Sequence, residues 1–311
     1  MPLHPALRAH LDELNPRAEE AARAGVVATP ESARAALAAL AGFAAAPVDV
    51  ARVDDAVIAG VPVRRYVPVP DEERDVVLFV HGGGHLAGDL DVYDFSARRT
   101  AAATGMVVVS VDYRRAPEAP FPAGLTDVYA VLRALPEGID GIPTTGHVHA
   151  MADSGGAAKV ASIAMRVAAG EWISPIRRQV LLYPSLDYTM SGASLRELGT
   201  GHLLTAERVA WYFDHYFPAD ADRRAASPLS GPYAADLPET LVIAAEYDPL
   251  RSEAEEYVAR ARAAGAPVSL VVAPGMIHAF AFFETLIPHE TDRLYGIVGC
   301  FLREGVAPGA W

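Results

Sequence analysis

From Asp75 onward, nearly continuous apolar runs alternate with segments whose apolar positions recur every three or four residues. The runs are "DVVLFVHG" (Asp75–Gly82), "GMVVVSVDY" (Gly105–Tyr113), "HVHAMAD" (His147–Asp153), "RQVLLYP" (Arg178–Pro184), "ETLVIAAEYD" (Glu239–Asp248) and "VSLVVAP" (Val268–Pro274). Unbroken apolarity predicts strands covered on both faces rather than strands with one wet face. Two weaker runs, Val53–Ile58 and Pro62–Val67, predict edge strands at the front. Among the helical patterns, Leu125, Val128, Tyr129, Leu132 and Leu135 share a face behind Pro122, which suits a first turn. Ser252 and Glu255 have capping-box spacing ahead of a terminating Gly265. The alternation predicts an α/β fold, with a mostly parallel central sheet flanked by helices.

Two segments break this order. Residues 1–45 read as helices, with Leu3, Leu7, Leu11 and Leu14 on one face and a second helix opened by Thr29-Pro30. Residues 190–225 form an insertion carrying the aromatic run "RVAWYFDHYF". We read both as a helical cap over a core of residues 46–189 and 226–311; the plainer alternative is helices that only pack on the side of that core.

Composition narrows the setting. With 311 residues and 51% apolar content, the chain can bury a substantial core. The lone Cys300 has no intramolecular disulfide partner, which predicts a reducing compartment and a cytoplasmic location. The start "MPLHPALRAHLDEL" lacks a basic stretch followed by an apolar one, so no signal peptide is expected. No membrane span is expected either, because "ARAALAALAGFAAAPVDVA" (Ala33–Ala51) is mostly alanine and is broken by Arg34, Pro47 and Asp49. A net charge of -13 repels polyphosphate and argues against nucleic acid as a partner. Lys159 is the only lysine, which reads as a compositional bias without functional weight.

Candidate chemistry centres on "MADSGGAA" (Met151–Ala158), where a predicted strand runs into the helical pattern "GGAAKVASIAMRVAAG". Two signatures overlap there: a G-x-S-x-G elbow with Ala152 in place of the first glycine, and the D-S-G-G run of chymotrypsin-like proteases at Asp153–Gly156. A serine in a sharp strand-to-helix turn needs small neighbours, and Gly155, Gly156 and Ala157 supply them. Its hydroxyl is a weak nucleophile without a base, an orienting carboxylate and oxyanion donors. Asp248 ends one predicted strand and His278 follows the next, in "APGMIHAF"; loops after parallel strands converge at one edge. The loop "HGGGH" (His81–His85) follows the strand "DVVLFV" and offers unhindered backbone N–H groups. We assign Gly82, Gly83 and Gly155 as oxyanion donors. His81, Asp112 and Ser154 also fall in the chymotrypsin order, but that family is all-β and this chain is not.

Together these motifs resemble the hormone-sensitive-lipase-like family of α/β-hydrolases, the bacterial carboxylesterases with an HGGG loop. The resemblance runs from about Val76 to Phe280 and includes "VVVSVDYRRAPEAPFPAGLTDVYAVLRAL", "LLYPSLD", "AEYDPLR" and "PGMIHAF". It implies an α/β-hydrolase fold with a helical cap, a triad of Ser154, Asp248 and His278, and hydrolysis of small to medium acyl esters. It further implies no cofactor, a small-molecule ester as partner, and often a homodimer. Against the family's G-D-S-A-G-G elbow, this chain has Ala152, Gly155 and Ala157; Ser252 replaces an aspartate, and Ala279 follows the histidine in place of glycine. His85 stands where a bulky aromatic is usual and borders the oxyanion loop, so we expect it to shape acyl preference.

Other polar residues receive plainer readings. Asp153 is expected to be a structural hydrogen-bonding partner, and Asp112, Arg114 and Glu118 a polar network. His147 and His149 alternate on one strand face without an evident third ligand, so no metal site is expected. His202 is expected to line the substrate pocket from the cap, and His215 to serve packing. An amidase or deacetylase acting on a small metabolite would use the same triad. A non-catalytic ligand-binding member of the fold is the other alternative, although receptors of this kind typically lack the catalytic histidine; a lyase is a third.

Overall fold

A computed structural model describes the whole chain, Met1–Trp311. The apolar runs form strands β1 (Arg52–Ile58), β2 (Val61–Val67), β3 (Arg74–Val80), β4 (Val107–Val111), β5 (Thr144–Asp153), β6 (Ile176–Leu182), β7 (Glu239–Tyr247) and β8 (Val268–Ile277). They make one 8-stranded sheet in the order β1-β2-β4-β3-β5-β6-β7-β8. Strand β2 runs antiparallel to both neighbours, and every other pairing is parallel.

The helices are α1 (Pro5–Arg23), α2 (Pro30–Leu40), α3 (Asp94–Thr104), α4 (Ala123–Ala134), α5 (Ser154–Ala168), α6 (Ala193–Glu197), α7 (Ala206–Tyr216), α8 (Arg223–Ala226), α9 (Arg251–Ala263) and α10 (Pro288–Glu304). Side chains alternate across a strand, so β3 sends Val77 and Phe79 to one face and Val76, Leu78 and Val80 to the other. On the first face they pack with Phe95 of α3 and with Tyr295 and Phe301 of α10. On the second they pack with Leu125 and Val128 of α4, Val160 of α5 and Tyr257 of α9. Both faces are covered, which is why these strands tolerate unbroken apolar sequence.

Local capping differs from the sequence expectation in two places. Thr29 caps α2, accepting from the Ser32 N–H, with Pro30 as the first helical residue. Pro122 instead lies one residue before α4, as its N-cap. The capping box at Ser252 does not form, because Leu250 is the N-cap of α9. Ser252 Oγ is instead 2.8 Å from Ser194 Oγ, which ties α9 to α6, and Glu255 pairs with Arg251 at 3.4 Å.

Helices α1 and α2 and the inserted α6–α8 lie outside the sheet layers. Helix α2 is fastened to the core by Arg34, whose Nε donates to the Leu86 carbonyl at 3.1 Å and whose guanidinium pairs with Glu118 at 2.6 Å. Helix α7 docks through Val209, Phe213 and Tyr216, which pack with Ala116, Ala158 and Tyr188. No helix is long and apolar enough to cross a membrane. Because β3, β5, β7 and β8 are parallel, the segments after them emerge at one edge: His81–His85, Ser154, Asp248 and His278.

Candidate active site

Ser154 begins α5 directly after β5 with a φ of 47, in the left-handed region that a side chain rarely occupies. The turn is this sharp because helix and strand pass close together: a Cβ on Gly156 would collide with the carbonyl oxygens of Val80 and His81. Ala152 and Ala157 are buried, so both methyl groups fit. Ser154 Oγ is 3.0 Å from His278 Nε2, and His278 Nδ1 is 2.8 Å from Asp248 Oδ2. The other Asp248 oxygen accepts the Leu250 N–H at 2.8 Å. A carboxylate opposite Nδ1 holds the proton on that nitrogen, which leaves the Nε2 lone pair facing the serine hydroxyl. The Tyr183 ring meets His278 edge-on at 4.9 Å and limits its rotation.

The glycine loop differs from the sequence expectation by one residue. The Gly82 N–H donates to Asp153 Oδ1 at 2.6 Å, so it is already spent and does not face a ligand. The N–H groups of Gly83 and Gly84 donate to no protein acceptor. Gly155 lies in the first turn of α5, where N–H groups have no intrahelical partner. Gly84 has a φ of +61, and a Cβ there would stand 2.5 Å from the Tyr212 ring, so the position requires glycine on both counts. Asp153 also accepts from Tyr93 Oη at 3.1 Å, which agrees with a structural role, and burial pushes its carboxyl up to about 7. His81 stacks on Tyr113 with ring centroids 4.4 Å apart, and burial pushes it down to about 3, so it stays neutral.

Above these groups lies a cavity of about 320 Å³. Ser154, Gly83, Gly84, Gly155 and His278 form its floor, and Leu14, Leu37, Leu40, Val209, Tyr212 and Phe213 of α1, α2 and α7 contribute its wall. Residues 77–282 match the family model described as the alpha/beta hydrolase fold. The chain is 31% identical over 243 residues to an ethyl acetate hydrolase of Pseudomonas putida, covering 76% of each chain. It is 35% identical to the esterase LipI of Mycobacterium tuberculosis, covering 72% of this chain and 71% of that one. The chain belongs to the hormone-sensitive-lipase-like carboxylesterases of the α/β-hydrolase fold. Among solved structures, it is similar to an esterase from Pyrobaculum calidifontis, with a TM-score of 0.87 and 31% identity over 99% of this chain and 100% of that one.

Within this esterase family member, a buried pair beside Gly155 was not foreseen from the sequence. Lys159, one turn into α5 and 1% exposed, has its Nζ 2.8 Å from His85 Nδ1 and 4.1 Å from the centroid of the Tyr113 ring. No carboxylate bonds to it, and burial pushes its pKa down to about 7. His85 borders the cavity, as expected, but its ring is stacked on Tyr216 at 3.8 Å and held by Lys159. The available signal was a single lysine inside an apolar helix face.

His202 does not line the cavity: its ring lies 5.4 Å from that of Tyr247, while the adjacent Leu203 and Leu204 form the wall. Asp112, Arg114 and Glu118 make three separate pairs, with Arg115, Asp127 and Arg34, rather than one network. His147 and His149 both approach Asp75, at 3.4 and 3.2 Å. His215 packs on Trp211 at 4.1 Å.

Proposed function

We propose that the protein is a serine carboxylesterase that hydrolyses small to medium acyl esters through an acyl-enzyme on Ser154. As Oγ attacks the ester carbonyl carbon, His278 Nε2 takes its proton, and Asp248 orients and stabilises the resulting imidazolium. The carbonyl oxygen, now an anion, meets the N–H groups of Gly83, Gly84 and Gly155; one donor of this kind contributes about 3 kcal/mol. His278 then returns the proton to the leaving alcohol. A water molecule, deprotonated by the same ring, attacks the acyl carbon and releases the acid. None of these steps draws on a cofactor.

The reading rests on one observation: an unbroken Asp248–His278–Ser154 relay opens into an apolar cavity beside two glycine N–H groups without acceptors. A volume of about 320 Å³ suits small to medium acyl groups. Residues 1–45 and 190–225 act as the cap, since their helices supply the cavity wall. The ester class agrees with relatives named ethyl acetate hydrolase and esterase. Hydrolysis of para-nitrophenyl esters of increasing chain length tests it, with Ser154→Ala measured alongside. Turnover should fall by roughly 10⁴-fold or more in the variant. Substantial residual hydrolysis by Ser154→Ala would overturn the assignment, and a folded parent inert toward every ester would redirect the search to amides.

A further inference from the structure

The apolar wall above Ser154 contains one cation. Arg208, in α7, is the only lysine or arginine lining the cavity. Partly buried arginines elsewhere in the molecule are paired: Arg34 with Glu118, Arg65 with Asp54, Arg98 with Asp94 and Arg178 with Glu239. Arg208 is partly buried as well, yet its guanidinium donates to no protein acceptor and pairs with no carboxylate; its backbone N–H bonds Thr205 Oγ1, and Nη1 is closed off from solvent without a partner. The Trp211 ring, 5.3 Å from Cζ, engages the guanidinium by cation–π contact and does not use up its N–H donors. A guanidinium that borders an apolar cavity without a protein counter-charge is matched by an anionic ligand.

We propose that Arg208 is an anion subsite of the ester pocket, and that favoured substrates carry a carboxylate at the far end of one arm of the ester. The inference rests on the serine esterase reading above. Tyr212, one turn further along α7, packs on Gly84 of the oxyanion loop. Residues four apart share a helix face, so the Cα atoms of Arg208 and Tyr212 lie about 6 Å apart along the helix axis. A few methylenes span this distance, and the wall between is apolar, with Leu37, Leu203, Val209 and Phe213. The arm is therefore aliphatic and its end anionic, and the Nε–Nη2 edge of the guanidinium, the one not closed off from solvent, matches a carboxylate with two parallel hydrogen bonds. The net charge of -13 does not draw anions from a distance. The gain accordingly falls on KM, after docking, and weakens with salt.

Matched esters of equal length test this on both arms. For the acyl arm, the mono-para-nitrophenyl ester of adipic acid is compared with para-nitrophenyl hexanoate. For the alcohol arm, the acetate ester of ω-hydroxyhexanoate is compared with hexyl acetate. On at least one arm the charged ester should have a KM lower by roughly 10- to 100-fold. Arg208→Gln should remove that advantage, and Arg208→Lys, which keeps the charge without the fork, should retain part of it. A parent that favours the neutral ester on both arms, or an advantage that survives in Arg208→Gln, would overturn the proposal. Calorimetric titration of Ser154→Ala with monomethyl adipate and with methyl hexanoate separates this from the catalytic reading, since it needs no turnover. Tighter binding of the adipate than of methyl hexanoate, or of 6-acetoxyhexanoate than of hexyl acetate in the same titration, supports the subsite even where no ester is hydrolysed, and equal binding on both arms overturns it.

Discussion

Two histidines flank Ser154, and the group opposite Nδ1 makes each a different device. His278 Nδ1 faces the Asp248 carboxylate at 2.8 Å, so the ring keeps that proton and offers an Nε2 lone pair to the serine, 3.0 Å away. His85 Nδ1 faces the Lys159 amine at 2.8 Å. A charged lysine only donates, so while Lys159 is protonated this Nδ1 accepts and the proton sits on Nε2, which has no protein partner. Burial and the neighbouring Lys159 hold His85 well below the usual histidine range. Stacked on Tyr216 and set against Gly155, it acts as a rigid neutral wedge under the oxyanion loop. Imidazole chemistry is thus set less by the ring than by the group one hydrogen bond behind it.

The strongest way to break this contrast is on the His278 side. Asp248→Asn presents an amide where the carboxylate stood, so the tautomer that offers Nε2 as a base is no longer enforced. We expect kcat on para-nitrophenyl butyrate to fall about 10⁴-fold while the melting temperature changes little. A loss below tenfold would show that the partner of Nδ1 does not govern the base.

On the His85 side, loop geometry matters more than proton position. Gly84→Ala drives a methyl into the Tyr212 ring at a positive φ, which displaces a donor of the proposed oxyanion hole. We expect kcat/KM to drop about 10²-fold, with partial recovery when Tyr212→Ala is added. No recovery in the double variant would assign the loss to backbone conformation alone.

The smallest effect is on stability and depends on pH. Burial lowers Lys159 from 10.5 to about 7, so between those values the unfolded chain holds a proton that the folded chain has released. Stability therefore rises with pH across that window, and below about 7 the buried charge penalises the fold in full. Lys159→Met lacks this dependence, whereas Asp153 titrates in both proteins and cancels. Between pH 6 and 10 the stability difference should move in the parent's favour by about 4 kcal/mol, measured by denaturant unfolding at each pH. A pH-independent difference would mean that Lys159 titrates as an ordinary lysine.

Much of this molecule is written in short stretches of chain. The β3, β5, β7 and β8 runs were legible because a covered strand is apolar on both faces, and a parallel sheet places its strand ends together. Ser154, Asp248 and His278 follow such ends, which suffices to bring them forward as candidates and, in the structure, within hydrogen-bonding distance. The glycine loop was legible as a loop, but which of its N–H groups stay free was not. His202 and its neighbours Leu203 and Leu204 illustrate a second limit, since in an irregular segment no periodicity tells which side chain turns inward. Arg208 carried no signal of its own within the run "RVAWYFDHYF", and Lys159 looked like a bias in composition.

Local pattern was enough for the α/β architecture, the elbow, the position of the glycine loop and the order of the candidate residues, because periodicity and turn chemistry act between near neighbours. Folding was needed to decide that Asp153 takes the Gly82 N–H from 71 residues away and so shifts the free donors to Gly83 and Gly84. The same holds for Lys159 and His85, which meet across 74 residues, and for Arg208, whose lack of a counter-charge is defined only once every other surface has packed. Hydrogen bonds and desolvation depend on which distant groups share a small volume, and that is a property of the packed chain.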